Sequence, residues 1–293
     1  MSELHIIGEH AERTARWTAR SAKLPSPPGV VLRVLRLLED ERTPLAEIKA
    51  LIAADPALSA RLLAYANSAP IRRAGPYVST IDRAVRALGT RNLYRMLTTL
   101  SAQALRIESV PGYGMDEHAL WRQSLRAAVA AEDLARYVPE VDWSEAYMAG
   151  LLLDVGKLIV GPELRDRGDE IKAIMEASPD TPFDAIERRL FGADHARVGA
   201  DLARTWRLAA PLQEAIRFHH MPARARAHRE LVYVCHLADF VAMAASTHRS
   251  IDEMAYVVDE GWRDVVPLRD AQLHALLIDV EERVESIVSL LDG

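Results

Sequence analysis

The second half of this chain contains several histidine and aspartate side chains, among them Asp154, Asp194, His195 and the pair His219–His220. Imidazole and carboxylate groups both bind divalent cations, and a bound cation lowers the pKa of a coordinated water so that it can attack a phosphate ester. These residue types are therefore compatible with metal-dependent hydrolysis, provided that the fold brings the side chains together.

The same residues also have structural explanations, which depend on the helices around them. Asp194 is expected to cap a helix whose first turn contains His195. The pair His219–His220 is expected to end another helix, where a partly positive imidazole interacts favourably with the helix dipole. A buried Asp154 would pair with a nearby amide or cation. For Asp154 and the histidines, the residue types favour these structural roles over metal binding.

Helix signals recur along the whole sequence, whereas no segment shows the alternation of a half-buried strand bounded by hairpin turns. A capping residue directly precedes proline at Thr43–Pro44, Asp55–Pro56 and Thr181–Pro182, and Ser79–Asp82 and Asp142–Glu145 resemble capping boxes. The pattern predicts an all-α globule. Its helices are expected at approximately 28–39, 44–54, 56–68, 80–88, 91–106, 116–138, 143–160, 168–177, 182–191, 195–207, 211–220, 229–247, 250–260 and 269–291.

Composition restricts the class of protein. The 293 residues are 49% hydrophobic and 27% charged, which is typical of a globular chain, and the formal net charge of −6 disfavours binding to DNA through phosphate contacts. The single cysteine, Cys235, excludes an intramolecular disulfide. No apolar run reaches the length of a membrane span and the N-terminus lacks the pattern of a signal peptide, so we expect a cytoplasmic protein that binds neither DNA nor a membrane.

Seven short motifs occur in the order that is typical of one bacterial family. They are Leu24–Val31, Asp55–Ser68, Ser79–Gly89, Trp121–Ser124, Ala149–Leu158, Phe191–Ala200 and Ile216–His220. Over roughly residues 24–220 the chain resembles the HDOD family, the HD-related output domains of bacterial signalling proteins. The resemblance implies an all-α, HD-domain-like multi-helical fold that is related to metal phosphohydrolases and preceded by a family-specific helical subdomain.

The irregular stretch 107–115 contains Pro111, Gly112 and Gly114, and we interpret it as a join between two helical parts. Together with the resemblance, it predicts four regions. These are an N-terminal leader at 1–20, an N-terminal helical subdomain of the HDOD type at 21–112, a degenerate HD-like helical subdomain at 113–222, and a C-terminal helical extension at 223–293 that completes the HD-like part.

The resemblance also implies where an HD enzyme would hold its cations. The family pattern places imidazoles at positions 123 and 153, where this chain has Gln123 and Leu153. Leucine offers no lone pair and glutamine is a poor ligand for a transition metal, so we predict no metal, no cofactor and no catalytic residue. The remaining side chains of the former site are then remnants, namely Asp154, His195, His219, His220 and Asp239.

These expectations predict a non-catalytic signal-transduction module that acts through protein–protein interaction in the control of motility, biofilm formation or gene expression. No receiver, sensor or cyclase domain is evident, so the partners are expected to be other signalling proteins that bind in trans, and a homodimer is left open. Candidate contact surfaces are 24–28, 71–77 and an apolar stripe near the C-terminus, although such a stripe is more often core packing. The stripe consists of Leu273, Leu276, Leu277, Val280, Val284, Ile287 and Leu290.

Two alternatives from other functional classes remain. The first is a residual metal-dependent phosphohydrolase or phosphodiesterase that uses the remaining histidines and aspartates. The second is a nucleotide-sensing module that keeps the former cleft as a binding site. In that module Arg122, Lys157 and Arg217 would contact the phosphates of a nucleotide.

Overall fold

The structure is a computed structural model that describes residues 42–54, 56–67, 77–103, 109–116, 118–246, 250–251 and 255–292, together with Trp17, Val34, Leu37 and Leu38. All regular elements in these ranges are helices, and no strand occurs there beyond an isolated bridge between Val110 and Met115. The prediction of an all-α fold is confirmed. The surface at 24–28, most of 71–77, most of the leader and most of the predicted helix 28–39 lie outside the described residues.

Backbone contacts divide the chain into two compact units. The smaller unit comprises 25–106 and 282–293, and the larger comprises 1–24 and 107–281. The predicted division into leader, two subdomains and extension stays a prediction. In the part of the chain that the structure covers, no helix combines the length and the apolar character needed to cross a bilayer.

Three complete helices occur among the described residues of the smaller unit. Its core includes the buried residues Ile52, Leu62 and Leu93. The third helix bends at Gly89, whose φ of 67° lies in the left-handed region, at the position where the sequence predicted a helix to stop. The helices are α1 (Leu45–Ala53), α2 (Pro56–Asn67) and α3 (Ile81–Gln103).

The larger unit is built around α4 and the two helices that pack most extensively against it, α5 and α11. Short 3₁₀ turns at Pro111–Tyr113 and Pro222–Arg224 precede α4 and α11. The described helices of the larger unit are α4 (Ala119–Ala135), α5 (Trp143–Leu152), α6 (Lys157–Arg165), α7 (Gly168–Ala177), α8 (Phe183–Phe191), α9 (His195–Thr205), α10 (Ala210–Phe218), α11 (Arg229–Ala244), α12 (Trp262–Val265) and α13 (Asp270–Asp292), of which residues 282–292 are assigned to the smaller unit.

The apolar stripe of the C-terminal helix α13 includes buried core positions. Val280 and Val284 are completely buried and Leu276 is nearly so, and Val288, which the predicted stripe does not include, is buried as well. Ile278, also outside the predicted stripe, is an exposed apolar side chain on this helix. At these buried positions, core packing explains the helical spacing of the apolar residues.

The predicted cap of α5 can be tested by mutation. The Asp142 carboxylate accepts hydrogen bonds from the backbone N–H groups of Ser144 at 2.7 Å and Glu145 at 3.2 Å. Asp142→Ala leaves these groups without an acceptor and is expected to lower the free energy of unfolding by about 1 kcal/mol in urea denaturation. Asp142→Asn keeps an acceptor and is the matched control. Equal stability of the two variants would contradict the capping role.

Candidate functional site

Asp154 lies in a tight turn between two helices that the sequence predicted to be one. Helix α5 ends at Leu152 and α6 begins at Lys157, so residues 153–156 form a break in the predicted helix 143–160. At Gly156 the chain packs directly against the start of α9, since a Cβ there would overlap the carbonyl oxygen of His195 and lie 2.7 Å from Gly199 N. This close approach places Asp154 beside His195.

The three clustered histidines lie at helix ends, as predicted. Asp194 caps α9 by accepting a hydrogen bond from Arg197 N at 2.7 Å, and His195 is the first residue of that helix. His219 is the C-cap of α10, and His220 follows it. The positions of both helix ends are confirmed, and the packing of α9 against α10 brings the two ends together. The partly positive charge expected at His219–His220 is not found, because the pKa of each imidazole is lowered.

The Asp154 carboxylate is buried and has one oxygen engaged by two donors. Gln123 Nε2 donates to Oδ2 at 2.9 Å, and Lys157 Nζ lies 2.9 Å from the same oxygen. Burial by itself raises the pKa of the Asp154 carboxyl, but the Lys157 ammonium and then the His195 imidazole outweigh burial and hold this pKa well below its usual range. Asp154 is therefore a buried anion that protein cations stabilise.

Glu187 on α8 fixes the orientation of His195. Its carboxylate accepts from His195 Nδ1 at 2.9 and 3.0 Å, from the backbone N of His195 at 2.6 Å, and from the Tyr113 hydroxyl at 2.6 Å. Burial lowers the pKa of His195, whereas the Glu187 carboxylate and the contact with Asp154 raise it, and the net result lies well above the ordinary value. The His195 Nε2 atom consequently faces Asp154 and His220.

Two imidazoles approach the second oxygen of Asp154, and the third lies against His195. His195 Nε2 lies 2.9 Å from His220 Nε2 and 3.4 Å from Asp154 Oδ1, and His219 Nε2 lies 4.0 Å from Asp154 Oδ1. One ligand atom from each histidine falls within 4.8 Å of those of the other two. His219 and His220 are neutral at physiological pH, because burial and neighbouring histidines lower the pKa of His219 to about 4 and that of His220 well below its ordinary value.

Two buried polar atoms at this point have no hydrogen-bond partner among the described residues. They are Asp154 Oδ1 and His219 Nε2. Because buried acceptors are normally satisfied, this pair together with the nearby imidazole nitrogens fits a cation that prefers nitrogen ligands. The three histidines could hold one such ion, whereas Asp154 is not among the residues whose ligand atoms lie within 4.8 Å of one another. The residues do not fit two ions, since Oδ2 of Asp154 is already engaged and positions 123 and 153 supply no imidazole.

The structure also locates the other residues that the sequence pointed to. Leu153 is buried beside Asp154, and Asp239 is buried on α11. Burial and then Asp239 raise the pKa of the Tyr256 hydroxyl, so Asp239 interacts with that residue. Asp239 does not belong to the histidine cluster found among the described residues.

The three cations proposed to contact phosphate have different environments. Lys157 is buried and paired with Asp154. The Arg217 side chain is 28% exposed, with Nη1 3.7 Å from Asp194 Oδ1, and Arg122 on α4 is half-buried. A role of these three residues in nucleotide binding stays a prediction.

The sequence model of the HDOD domain matches residues 24–222, more than half of the chain. The chain belongs to the HDOD family. An uncharacterized protein from Treponema pallidum (strain Nichols) is 29% identical over 236 residues, which are 78% of this chain and 43% of that protein. This HDOD chain therefore spans under half of the length of that relative.

Solved structures share the fold of this HDOD protein. An HDOD domain protein of unknown function from Geobacter sulfurreducens has a TM-score of 0.68 and 24% identity, covering 94% of this chain and 97% of that one. A candidate phosphohydrolase from Shewanella amazonensis SB2B has a TM-score of 0.67 and 22% identity, covering 94% and 98%. A candidate signal transduction protein from Marinobacter aquaeolei VT8 has a TM-score of 0.68 and 20% identity, covering 96% and 65%. At these identities the likeness establishes the fold.

Two residues of the site were missed by sequence reasoning. Glu187 shares the buried face of α8 with Phe183, Ile186 and Phe191. A charged residue at a position of an apolar helix stripe indicates a buried charge with a partner, and this was the sequence pattern that could have identified Glu187. Tyr113 lies in the Pro-Gly stretch that was interpreted only as a join. Its hydroxyl bonds to Glu187, which is distant in sequence, and no local pattern indicates such a contact.

Proposed function

We propose that this HDOD protein is a regulatory module that acts by binding other signalling proteins and does not hydrolyse phosphate esters. The observation that carries the proposal is the environment of Asp154. Two-metal hydrolysis needs a carboxylate that bridges two cations, yet Gln123 and Lys157 both contact Oδ2 of Asp154. The Lys157 ammonium supplies the positive charge on the side where a second cation would bind.

The side chain at position 153 supports the same proposal. Leu153 is only 1% exposed and follows the last residue of α5, so apolar packing replaces a ligand directly beside Asp154. A catalytic metal centre keeps a position open for water or substrate. His195 and His219 are buried as well, which leaves the partly accessible His220 as the least covered imidazole of the cluster.

Turnover assays test the absence of hydrolysis. The untagged full chain is incubated with manganese, magnesium or zinc and with bis(p-nitrophenyl) phosphate or p-nitrophenyl phosphate. We expect hydrolysis rates equal to those of the metal ion without protein, because no water is activated at the site. The Asp154→Asn variant is expected to give the same rates. The exposed Asp180 provides the matched control, Asp180→Asn. Metal-dependent turnover that disappears in Asp154→Asn and persists in Asp180→Asn would refute the proposal.

The binding half of the proposal needs a separate measurement. Partners are captured on the immobilised chain from a bacterial lysate, purified, and titrated by calorimetry in the presence and absence of phosphate ester substrates. We expect a saturable complex with a signalling protein whose affinity does not depend on those substrates. A chain that forms no complex with any purified candidate, while it remains folded by circular dichroism, would contradict a role as an interaction module.

Residual metal-dependent phosphohydrolysis is the second candidate function, and the histidine cluster favours it. Three imidazole ligand atoms within 4.8 Å of one another could bind a cation that activates water, and Asp154 Oδ1 lies 3.4 Å from one of them, His195 Nε2. The assays above separate the two candidates, because only this second one requires turnover that depends on metal and on Asp154.

A further inference from the structure

We propose that residues 255–259 form a strap that covers the histidine cluster and has to open before a ligand or a partner protein can reach His220. The strap belongs to the larger unit and lies between α11 and α12 in the chain. Its contact with the cluster is made by Tyr256. A strap of this kind regulates access to the cluster whether or not the protein hydrolyses phosphate esters, so it is independent of the proposed function.

Tyr256 lies against the most accessible imidazole of the cluster. His195 and His219 are buried, whereas His220 is half-buried. The Tyr256 ring meets the His220 ring nearly edge-on, with centroids 5.7 Å apart and planes at 68°. It also stacks on His236 of α11, with centroids 5.9 Å apart. A ligand that approaches the cluster from the side of His220 therefore meets the Tyr256 ring.

The Asp239 carboxylate holds the Tyr256 side chain in place. The Tyr256 hydroxyl donates a hydrogen bond to that carboxylate and lies 3.3 Å from the carbonyl oxygen of His236. Asp239 is only 2% exposed, so the surrounding packing fixes the position of the acceptor. Because Asp239 lies on α11, this bond attaches the strap to one of the central helices of the larger unit. Asp239 is therefore an anchor of the strap and not a member of the histidine cluster.

His236 connects the strap to the cluster through both of its ring nitrogens. Its Nδ1 donates to the carbonyl oxygen of His219 at 2.6 Å, and its Nε2 accepts from the backbone N of Asp259 at 2.8 Å. The Asp259 carboxylate accepts in turn from the backbone N of Gly261 at 2.9 Å and from the Tyr233 hydroxyl at 3.3 Å. The strap is thus attached to α11 at its far end as well, through Asp259.

The strap is held closed mainly by hydrogen bonds. Each residue of the described segment 255–259 is half-buried or exposed, and Val257 is 61% exposed. Ala255 has a φ of 61°, in the left-handed region that residues other than glycine rarely adopt. Such a conformation persists only where neighbouring contacts hold it. Segments with little buried apolar surface open at a lower free energy than the core, so we expect the strap to open without the unfolding of α11.

Chemical modification measures access to His220. The untagged full chain is treated with diethyl pyrocarbonate at about pH 8, where imidazoles of ordinary pKa are neutral, and each histidine is followed by tandem mass spectrometry. We expect His220 to react more slowly than the exposed His274 of α13. Tyr256→Ala removes the ring and its hydrogen bond to Asp239, and is expected to raise the His220 rate by about tenfold or more while the His274 rate is unaffected. Equal rates at His220 and His274 in the wild type, or an unchanged His220 rate in folded Tyr256→Ala, would overturn the proposal.

A matched pair of variants at the far end distinguishes a strap that opens from a fixed wall. Asp259→Ala removes the acceptor for Gly261 N and the Tyr233 hydroxyl, neither of which belongs to the histidine cluster. The loss of one such hydrogen bond is expected to raise the open population, and with it the His220 modification rate, about fivefold. Glu260→Ala, at an exposed position just after the strap, is expected to react as the wild type does. A wild-type His220 rate in folded Asp259→Ala would show a fixed wall and contradict the strap.

Hydrogen exchange reports the opening of the strap without chemical modification. The backbone amide of Asp259 donates to His236 Nε2, so it can exchange only when this bond breaks. We expect the amides of 255–259 to be less protected than those of α11, and Asp259→Ala to lower their protection further, because local opening costs less free energy than global unfolding. Equal protection of the strap and of α11 would mean that the strap opens only when the protein unfolds, and would refute the proposal.

Discussion

Replacing Glu187 by glutamine in the metal-free protein is expected to lower the free energy of unfolding by about 3 kcal/mol. The physical reason is that Glu187 is completely buried and accepts hydrogen bonds from His195 Nδ1, the backbone N of His195 and the Tyr113 hydroxyl. Removing one partner of a buried ion pair leaves the other charge uncompensated, which typically costs 3–5 kcal/mol, about ten times the effect of an exposed pair. Urea denaturation in the presence of chelator measures the change.

The matched control is Glu170→Gln on α7. The Glu170 carboxylate also forms an ion pair, with Arg167 Nη1 at 2.9 Å, but both side chains are largely exposed. Because exposed ion pairs contribute about 0–1 kcal/mol, this variant is expected to remain close to wild type. Similar losses in the two variants would show that the burial of Glu187 does not matter, and would contradict its structural role.

The stability difference between wild type and Glu187→Gln is expected to depend on pH. Glu187 is one cause of the raised pKa of His195 in the folded protein. A histidine whose pKa is raised by folding stabilises the protein fully at pH values below its unfolded-state pKa of about 6.5. This stabilisation is lost as the pH rises through the folded-state pKa. In the presence of chelator, the difference in free energy of unfolding between wild type and Glu187→Gln should therefore become smaller at alkaline pH. Denaturation curves recorded over a series of pH values would detect this change.

Gly156→Ala is expected to destabilise the larger unit by about 3 kcal/mol, at the upper end of the range for overpacking. The new Cβ would overlap the His195 carbonyl oxygen and approach Gly199 N to 2.7 Å. Both atoms belong to the backbone of α9, so no flexible side chain can move away to make room. The turn that carries Asp154 would have to move away from α9, and thermal or urea denaturation would record the loss.

Gly168→Ala is the control for this substitution. Gly168 is the first residue of α7, and a Cβ there would meet no atom within 4 Å. Alanine is favoured over glycine in helices by up to about 1 kcal/mol, so this variant is expected to equal or exceed the wild type in stability. If Gly156→Ala were as stable as Gly168→Ala, the close approach of the turn to α9 would be refuted.

Sequence reasoning succeeded where the physical cause is local. Apolar spacing predicted an all-α fold, the proline at the start of α2 marked its first residue, and Asp142 and Asp194 were predicted as caps of α5 and α9. A cap depends on hydrogen bonds within three residues, and helical spacing depends on neighbours within one turn. The family resemblance was likewise contained in short motifs, and the family match confirmed it.

Local rules failed where packing between helices intervenes. The sequence predicted one helix over 143–160, but the chain turns at 153–156 so that Gly156 can pack against α9. Contacts with residues that are distant in the chain are not encoded in a window of neighbouring residues, and such a contact decided this outcome.

By itself, the sequence predicted a helical HDOD protein, and it has glutamine at 123 and leucine at 153, where the resemblance implies imidazoles. Only the tertiary structure decided that His195 and His219 approach one oxygen of Asp154, that His220 lies against His195, and that Gln123 and Lys157 contact the other oxygen. The physical reason is that capping and periodicity act within a helix. The convergence of side chains 31 residues apart, such as Gln123 and Asp154, depends instead on how separate helices pack.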